Sequence, residues 1–488
     1  MSRFRNRPLY RLPVLLLAFA LFAIGAGCAT NPVTGKSEIS FVSESQEIAA
    51  GRESEASIEQ EFGYYQHAGL SSNVTSIGNA LAAGSHRPEL PWNFRVLDDP
   101  TVNAFAAPGG YIYITRGILA HLNSEAQLAG VLGHEIGHVT ARHYARAASR
   151  QQIAGLGLIL GSVLSESVAR SADLAQTGLG LLFLKYSRDN ENESDRLGVE
   201  YSVKSGWDAR EMPATYRTLA RIGERAGSRI PTYLSTHPDP GAREGTVRAL
   251  AEAAVGARTN LKINRDAFLR LQDGVMYGVD PKQGYFENNR FYHPELRFIM
   301  DFPSGWQKQN SRNAIVAQSG KTAAMQVTLV NAGGLSPAQY VQKLRTDGQI
   351  AAANGSNTTI HRHPAWEGRV TVQDKAGNQG SLLLVVLKKD ASMFQILGQA
   401  ADGSAGESSI LASARSFQAL TDASRLNPVA AKLRVVPAPR AGTLAQVVAA
   451  LGTQGADLEE IALINGMDVS TTLAQGRLIK TVTPGRMR

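Results

Sequence analysis

A single cysteine, Cys28, stands in the 488 residues, so no intrachain disulfide can form and the fold must hold without one. An oxidising compartment would cost such a chain nothing. Long hydrophobic runs are also missing. The apolar stretch Leu12 to Ile24 falls short of the about 20 residues that a membrane-spanning helix requires. Two glycine-containing apolar segments, Ile153 to Val163 and Leu179 to Leu184, are shorter still. They suit packing in a core or between helices, or contact with a membrane surface, but not a crossing. Charge of one sign is scarce as well. Of the formal +8, four charges are Arg3, Arg5, Arg7 and Arg11, and no acid precedes Cys28, so the remaining chain carries +4. No Lys/Arg stripe with interleaved aromatics occurs, which excludes a nucleic-acid partner despite the high pI. No repeat of fixed period is present, which argues against a solenoid. With 43% hydrophobic and 19% charged residues the composition is that of a globular protein, and the length suits about three domains.

What is present begins with an export signal over residues 1–27: the four arginines, the apolar run, then small residues at Gly25, Ala26 and Gly27. The run Ile24-Gly25-Ala26-Gly27-Cys28 resembles the lipobox of bacterial lipoproteins, which implies a lipid-modified Cys28 and a membrane anchor. Gly25 stands where that pattern has Leu, so an ordinary cut and a soluble periplasmic protein remain the alternative. Ala29 after the cysteine resembles cargo sent to the outer membrane of two-membrane bacteria. Residues 28–45 read as a polar tether with turn formers at Asn31-Pro32 and Thr34-Gly35.

From 46 to 260 the periodicity is mainly helical, with a strand-like interlude. Residues 264–420 alternate in short segments such as Ala324 to Val330 and Ser381 to Leu387, which predicts an α+β domain. After a small-residue linker, 421–433, residues 434–485 run strand, helix, helix, strand: Leu433 to Val436, a helix opened by Gly442-Thr443-Leu444, Leu458 to Ile464, and Arg477 to Lys480. That order resembles a LysM-like module, which implies binding to N-acetylglucosamine polymers such as peptidoglycan. Ala441-Gly442 replaces the usual Gly-Asp of that pattern. The expected fold class is therefore multidomain: a mainly α catalytic domain with a small sheet, an α+β domain, and a small βααβ module.

The chemistry concentrates in Val131-Leu132-Gly133-His134-Glu135-Ile136-Gly137-His138-Val139. His-Glu-x-x-His on a helix sets two imidazoles one turn apart on one face, where they can chelate one zinc ion. Ser124 with Gln127 predicts the helix start, and Leu128, Val131, Leu132 and Val139 its apolar face. Neutral imidazoles suit Zn²⁺, and a catalytic site keeps one position open for water. Glu135 is placed to take the proton of that water and deliver it to the leaving amine. A metzincin would carry Gly and His three and six residues beyond His138, but Ala141 and Tyr144 stand there. His143 misses by one residue and reads as a packing or hydrogen-bonding neighbour. Some fifty residues on, Tyr186 to Tyr201 forms a helix pattern dense in carboxylates. Glu191 and Asp195 share its face: Glu191 is the expected third ligand, and Asp195 is suited to accept the outer N–H of a ligand histidine. Glu193, rotated by about 200°, reads as a solvated charge.

His-Glu-Ile-Gly-His followed by Tyr-Ser-Arg-Asp-Asn-Glu-x-Glu-x-Asp-x-x-Gly resembles peptidase family M48, a gluzincin family that holds prenyl proteases, a mitochondrial inner-membrane protease and periplasmic lipoproteins. The likeness extends from about residue 46 to 250 and includes Asn103 to Ile114 and Ser235-Thr236-His237-Pro238. It implies one zinc per chain, protein substrates, and a role in envelope quality control or outer-membrane assembly, with a chaperone-like or peptidoglycan-associated binding protein as the alternative. Tyr111 to Ile114 alternate as a strand after the Pro108-Gly109-Gly110 turn, and Gly110, Tyr111, Ile112 and Tyr113 are the expected substrate-binding residues. Alternation alone fits any sheet strand, and the resemblance favours an edge that binds substrate backbone. For His237 two roles stay open, transition-state stabiliser or inhibitory metal ligand.

Overall fold

A computed structural model describes residues 27–150, 186–226, 233, 236–320, 322–373, 379–452 and 457–486. The signal segment before residue 27 and the apolar segments 153–163 and 179–184 lie outside the described residues. The chain forms two compact units, Met1–Gly278 with Lys432–Thr483, and Val279–Ala431 with Pro484–Arg488.

The first unit opens with an antiparallel hairpin, β1 (Gly27–Thr30) and β2 (Ser37–Ser40), in which Cys28 pairs with Ile39. Asn31 closes its turn, its Oδ1 accepting from the Val33 and Thr34 amides at 2.9 and 3.1 Å. The stretch read as a tether is thus folded: the Asn-Pro and Thr-Gly pairs build a hairpin rather than interrupt a linker. Helix α1 (Glu44–Phe62) follows, started by a reciprocal cap between Ser43 and Gln46.

Next come α2 (Ala68–Ala83) and a three-stranded sheet of β3 (Asn93–Leu97), β4 (Ala104–Ala107) and β5 (Tyr111–Thr115). Its order is β3-β5-β4, with β5 parallel to β3 and antiparallel to β4. This corrects the edge expected at Tyr111, Ile112 and Tyr113: β5 is paired on both sides and wholly buried. The Pro108-Gly109-Gly110 turn, with both glycines at positive φ, folds β4 back onto β5 and leaves β4 at the edge. Alternation is the same in central and edge strands, so it could not separate the two.

Among the described residues the further α-helices of this region are α3 (Arg116–His121), α4 (Glu125–Thr140), α5 (Arg188–Lys204), α6 (Met212–Ala226), α7 (Pro240–Val255) and α8 (Arg265–Leu271). Ser124 caps α4 by accepting from the Gln127 amide at 3.1 Å, while Gln127 Oε1 takes the Asn123 amide, one residue earlier than a reciprocal box would. Every residue of α4 from Ala126 to Thr140 is buried. Such burial needs close neighbours on all sides, and glycines provide them where α5 crosses. A Cβ on Gly133 would lie 3.1 Å from the Gly198 Cα, and one on Gly198 3.0 Å from the His134 nitrogen.

The C-terminal segment of this unit runs strand Lys432–Pro437, helices Leu444–Ala450 and Leu458–Ile464, and strand Leu478–Thr483, the two strands paired antiparallel. It packs into the peptidase-like region: Leu433 and Ile464 join Leu70, Ala120 and Val275 in one buried cluster. Lys480, fully buried, donates from Nζ to the Ala120 and Leu122 carbonyls at 2.7 and 2.8 Å, at the junction leading into α4. Truncating Ile464 to Ala is expected to cost about 2–5 kcal/mol, the usual range for a buried Ile. It should shift one common urea transition, followed by probes in both parts; a separate transition for the C-terminal segment would contradict joint packing.

In the second unit seven antiparallel strands lie in the order 352–360, 363–373, 379–389, 392–399, 323–330, 314–319, 307–310. Helix Pro337–Thr346 covers one face through Tyr340, Val341 and Leu344. The other face packs Ile315, Phe394 and Ile396 on Phe298, Met300 and Phe417. Burial on both faces explains why Leu383 to Leu387 is continuously apolar instead of alternating.

Candidate metal centre

Helix α4 carries His134 and His138 four residues apart on one side, with Glu135 beside them, and all three are buried. The crossing of α5, begun at Ser187 whose side chain accepts from the Asn190 amide, brings Glu191 in its first turn over the same spot. His134 Nε2 stands 3.0 Å from His138 Nε2, and Glu191 oxygens lie 3.7 and 3.5 Å from these two nitrogens. His237 completes the group. Its Nδ1 lies 3.1 Å from Glu191 Oε1 and 3.3 Å from His134 Nε2. One ligand atom from each of His134, His138, Glu191 and His237 lies within 4.8 Å of every other. The ring of His237 is stacked on Tyr233, with centroids 4.5 Å apart.

Three observations fit this group to a divalent metal ion. Imidazole nitrogens and one carboxylate form a donor set that such an ion prefers. Burial and the neighbouring His134 and His143 push the His138 imidazole well below its ordinary pKa, into the neutral form that ligates. Both Glu135 oxygens are buried without a hydrogen-bond partner, and His237 Nε2 is 3.7 Å away. Burial raises the Glu135 carboxyl pKa, and the opposing pull of His237 and His134 does not reverse this. A buried carboxyl with its lone pairs unspent is poised to take a proton from something bound beside it.

Around this centre the outer atoms are held. His134 Nδ1 is 2.9 Å from Asp195 Oδ1, one turn beyond Glu191 on α5. The Tyr216 hydroxyl donates to the same oxygen at 2.5 Å, and Arg243 Nε donates to Asp195 Oδ2 at 2.8 Å. Arg243 also pairs through Nη1 with Glu191, so one guanidinium holds both carboxylates. Arg243 was not singled out from the sequence, although a signal exists: Val247, Ala251 and Val255 form the buried stripe of α7 at four-residue spacing, and Arg243 continues that stripe toward the helix start. A charge at the head of a buried stripe calls for a buried partner.

Glu193 departs from the solvated charge expected of it. It reaches round α5 so that Oε2 stands 3.0 Å from His143 Nε2 and 3.1 Å from Arg146 Nη2, and these bonds hold its carboxyl down at about 2. Helical rotation turned Glu193 away from Glu191 but toward the end of α4. Of the residues expected to bind substrate, Gly110 sits in the turn and Tyr111, Ile112 and Tyr113 in the central strand. The residues near the centre are instead Ala106, Ala107, Pro108 and Gly109, which with His138, Val139 and Tyr186 line a narrow space of about 10 Å³.

A fold with a His-Glu-x-x-His helix crossed by a helix supplying Glu is that of a metallopeptidase, and comparison with known proteins agrees. Residues 70–251 match the Peptidase family M48. It is 31% identical over 262 residues to the Beta-barrel assembly-enhancing protease of Escherichia coli, covering 52% of this chain and 50% of that protein. The Yersinia pestis protein of the same name is 31% identical over 220 residues, 43% of this chain and 45% of that one. The Mitochondrial metalloendopeptidase OMA1 of Arabidopsis thaliana is 38% identical over 178 residues, 36% of this chain and 34% of that one. The chain spans half or less of the length of these curated relatives. Among the described residues no helix is long and apolar enough to cross a membrane.

Proposed function

We propose that the chain is a zinc endopeptidase that cleaves misfolded or misassembled envelope proteins, anchored through a lipidated Cys28 on the periplasmic side of the outer membrane. The observation that carries the reading is the convergence of four buried ligand atoms beside a carboxylate, Glu135, whose oxygens have no hydrogen-bond partner. His134, His138 and Glu191 would hold one zinc ion. When bound, it supplies positive charge that polarises the scissile carbonyl and acidifies the attacking water. Glu135 takes the proton of that water and returns it to the leaving amine. Strand β4, Ala104–Ala107, is the outermost strand on the far side of β5 and would take over from Tyr111 to Tyr113 the role of orienting an extended substrate backbone. The names of the E. coli and Y. pestis relatives favour substrates among proteins that build β-barrels.

The Nδ1 of His237, at 3.3 Å from His134 Nε2 and 3.1 Å from Glu191 Oε1, supports the reading of His237 as an inhibitory ligand, which would fill the place left for water and keep the site latent until it withdraws. The strand-helix-helix-strand order of residues 432–483 favours a LysM-like module and a peptidoglycan contact.

The test uses the purified full-length chain, its metal content and its cleavage of unfolded casein. About one zinc per chain and zinc-dependent cleavage are expected, with His237→Ala the more active form. A chain that takes up no zinc contradicts the reading. Zinc uptake without cleavage by either form would favour a chaperone-like binding protein.

A further inference from the structure

Two groups beside the metal centre, the buried His143 and the partly buried Glu193, have no part in the reaction above. His138 turns Nε2 toward the other ligand atoms, and its Nδ1 faces the opposite way, 2.8 Å from His143 Nδ1. His143 is fully buried, and its far nitrogen meets Glu193 Oε2 at 3.0 Å. In a straight helix a residue five positions after His138 would lie about 140° off its face. Here α4 ends at Thr140 and Arg142 adopts φ +56°, which brings His143 back under His138.

A ligand imidazole offers its lone pair at one nitrogen and carries its proton on the other. With Nε2 as ligand, His138 is protonated at Nδ1 and donates to His143 Nδ1. Accepting there places the proton of His143 on Nε2, where the Glu193 carboxylate receives it. Each link has one donor and one acceptor, so the carboxylate at the end sets both tautomers. Ser194 Oγ, at 3.5 Å from His143 Nδ1, is too distant to compete.

We propose that His143 and Glu193 are positioning residues of the metal site, which hold His138 with Nε2 free to ligate; this rests on the metallopeptidase reading. The two ligand histidines are then supported differently. His134 leans directly on a carboxylate, Asp195, and His138 on a neutral imidazole with the carboxylate one step beyond.

The experiment is zinc affinity of the full-length chain by chelator competition, for wild type, His143→Leu, His143→Asn and Glu193→Leu. Loss of an outer partner of a ligand histidine costs about 10–100-fold in metal affinity, and His143→Leu should fall in that range. In His143→Asn the amide oxygen accepts near the place of Nδ1, so affinity should stay close to wild type. A packing role predicts the reverse order, because Leu fills the volume while Asn buries an extra amide. Equal affinity for Leu and wild type, or equal loss for Leu and Asn, would overturn the proposal. If His143→Leu does not fold, Glu193→Leu decides: weaker zinc binding is expected and unchanged binding overturns it. A wild type that binds no zinc would remove the metallopeptidase reading itself, whereas a zinc-binding, active wild type with an indifferent His143 removes only this assignment.

Discussion

Replacing Glu135 by Gln is expected to lower casein cleavage by about 10²–10⁴-fold, the usual worth of a positioned general base, while zinc content stays at the wild-type level. Gln keeps the size of the side chain but cannot take a proton at the working pH. Metal retention follows from geometry: Glu135 is not one of the four residues whose ligand atoms converge, and its oxygens have no hydrogen bond to lose. Burying a neutral amide in place of a carboxylate also relieves a desolvation penalty, since burial is the largest influence on Glu135 and works against its charged form. The variant should therefore be at least as stable as wild type when metal-free. Zinc analysis, cleavage kinetics and thermal unfolding on the same preparation check all three. Loss of zinc together with activity would assign Glu135 to the ligands instead.

The legible part of this site was the part carried by one helix. The spacing of His134 and His138 and the cap at Ser124 are local properties, and local properties survive into the fold. Glu191 and Asp195 were readable for the same reason, being one turn apart on α5. What stayed hidden depends on how elements meet. The alternation of Tyr111 to Ile114 says nothing of how many neighbours a strand has, and the answer came from a turn at Gly109 and Gly110 that folds β4 against β5. Glu193 looks solvated on an isolated helix, and only the crossing with α4 gives it His143 as a partner. The order of elements in the C-terminal segment was visible in its periodicity. Its seat on the peptidase-like region was not, because Lys480 in a strand reads as an outward charge until the carbonyls of Ala120 and Leu122 are placed around it.

Arg243→Ala is expected to destabilise the metal-free protein by about 3–5 kcal/mol, the cost of leaving buried charge without its partner, and to do so less when zinc is bound. The guanidinium is the only Arg or Lys side chain paired with either Glu191 or Asp195 among the described residues, and both carboxylates are buried. Its loss leaves two adjacent acidic groups with only His134, His138 and His237 to balance them. The hydroxyl of Tyr216, which donates to Asp195, cannot supply charge, and the ring of Tyr216 loses the cation that lies 5.1 Å from its centroid. A divalent ion held by His134, His138 and Glu191 would restore positive charge beside Glu191 but not beside Asp195, so it should recover part of the loss. A ligand that binds only the folded form raises its stability by mass action, and here the rise should be larger in the variant whenever zinc is saturating. Arg243→Lys should fall between, because one ammonium cannot bridge both carboxylates as the planar fork does. Urea unfolding with zinc and with chelator measures each of these differences. Equal losses in the two conditions would mean that Arg243 stabilises the crossing of α5 and α7 without reference to the metal centre, and its place beside Glu191 would then be structural alone.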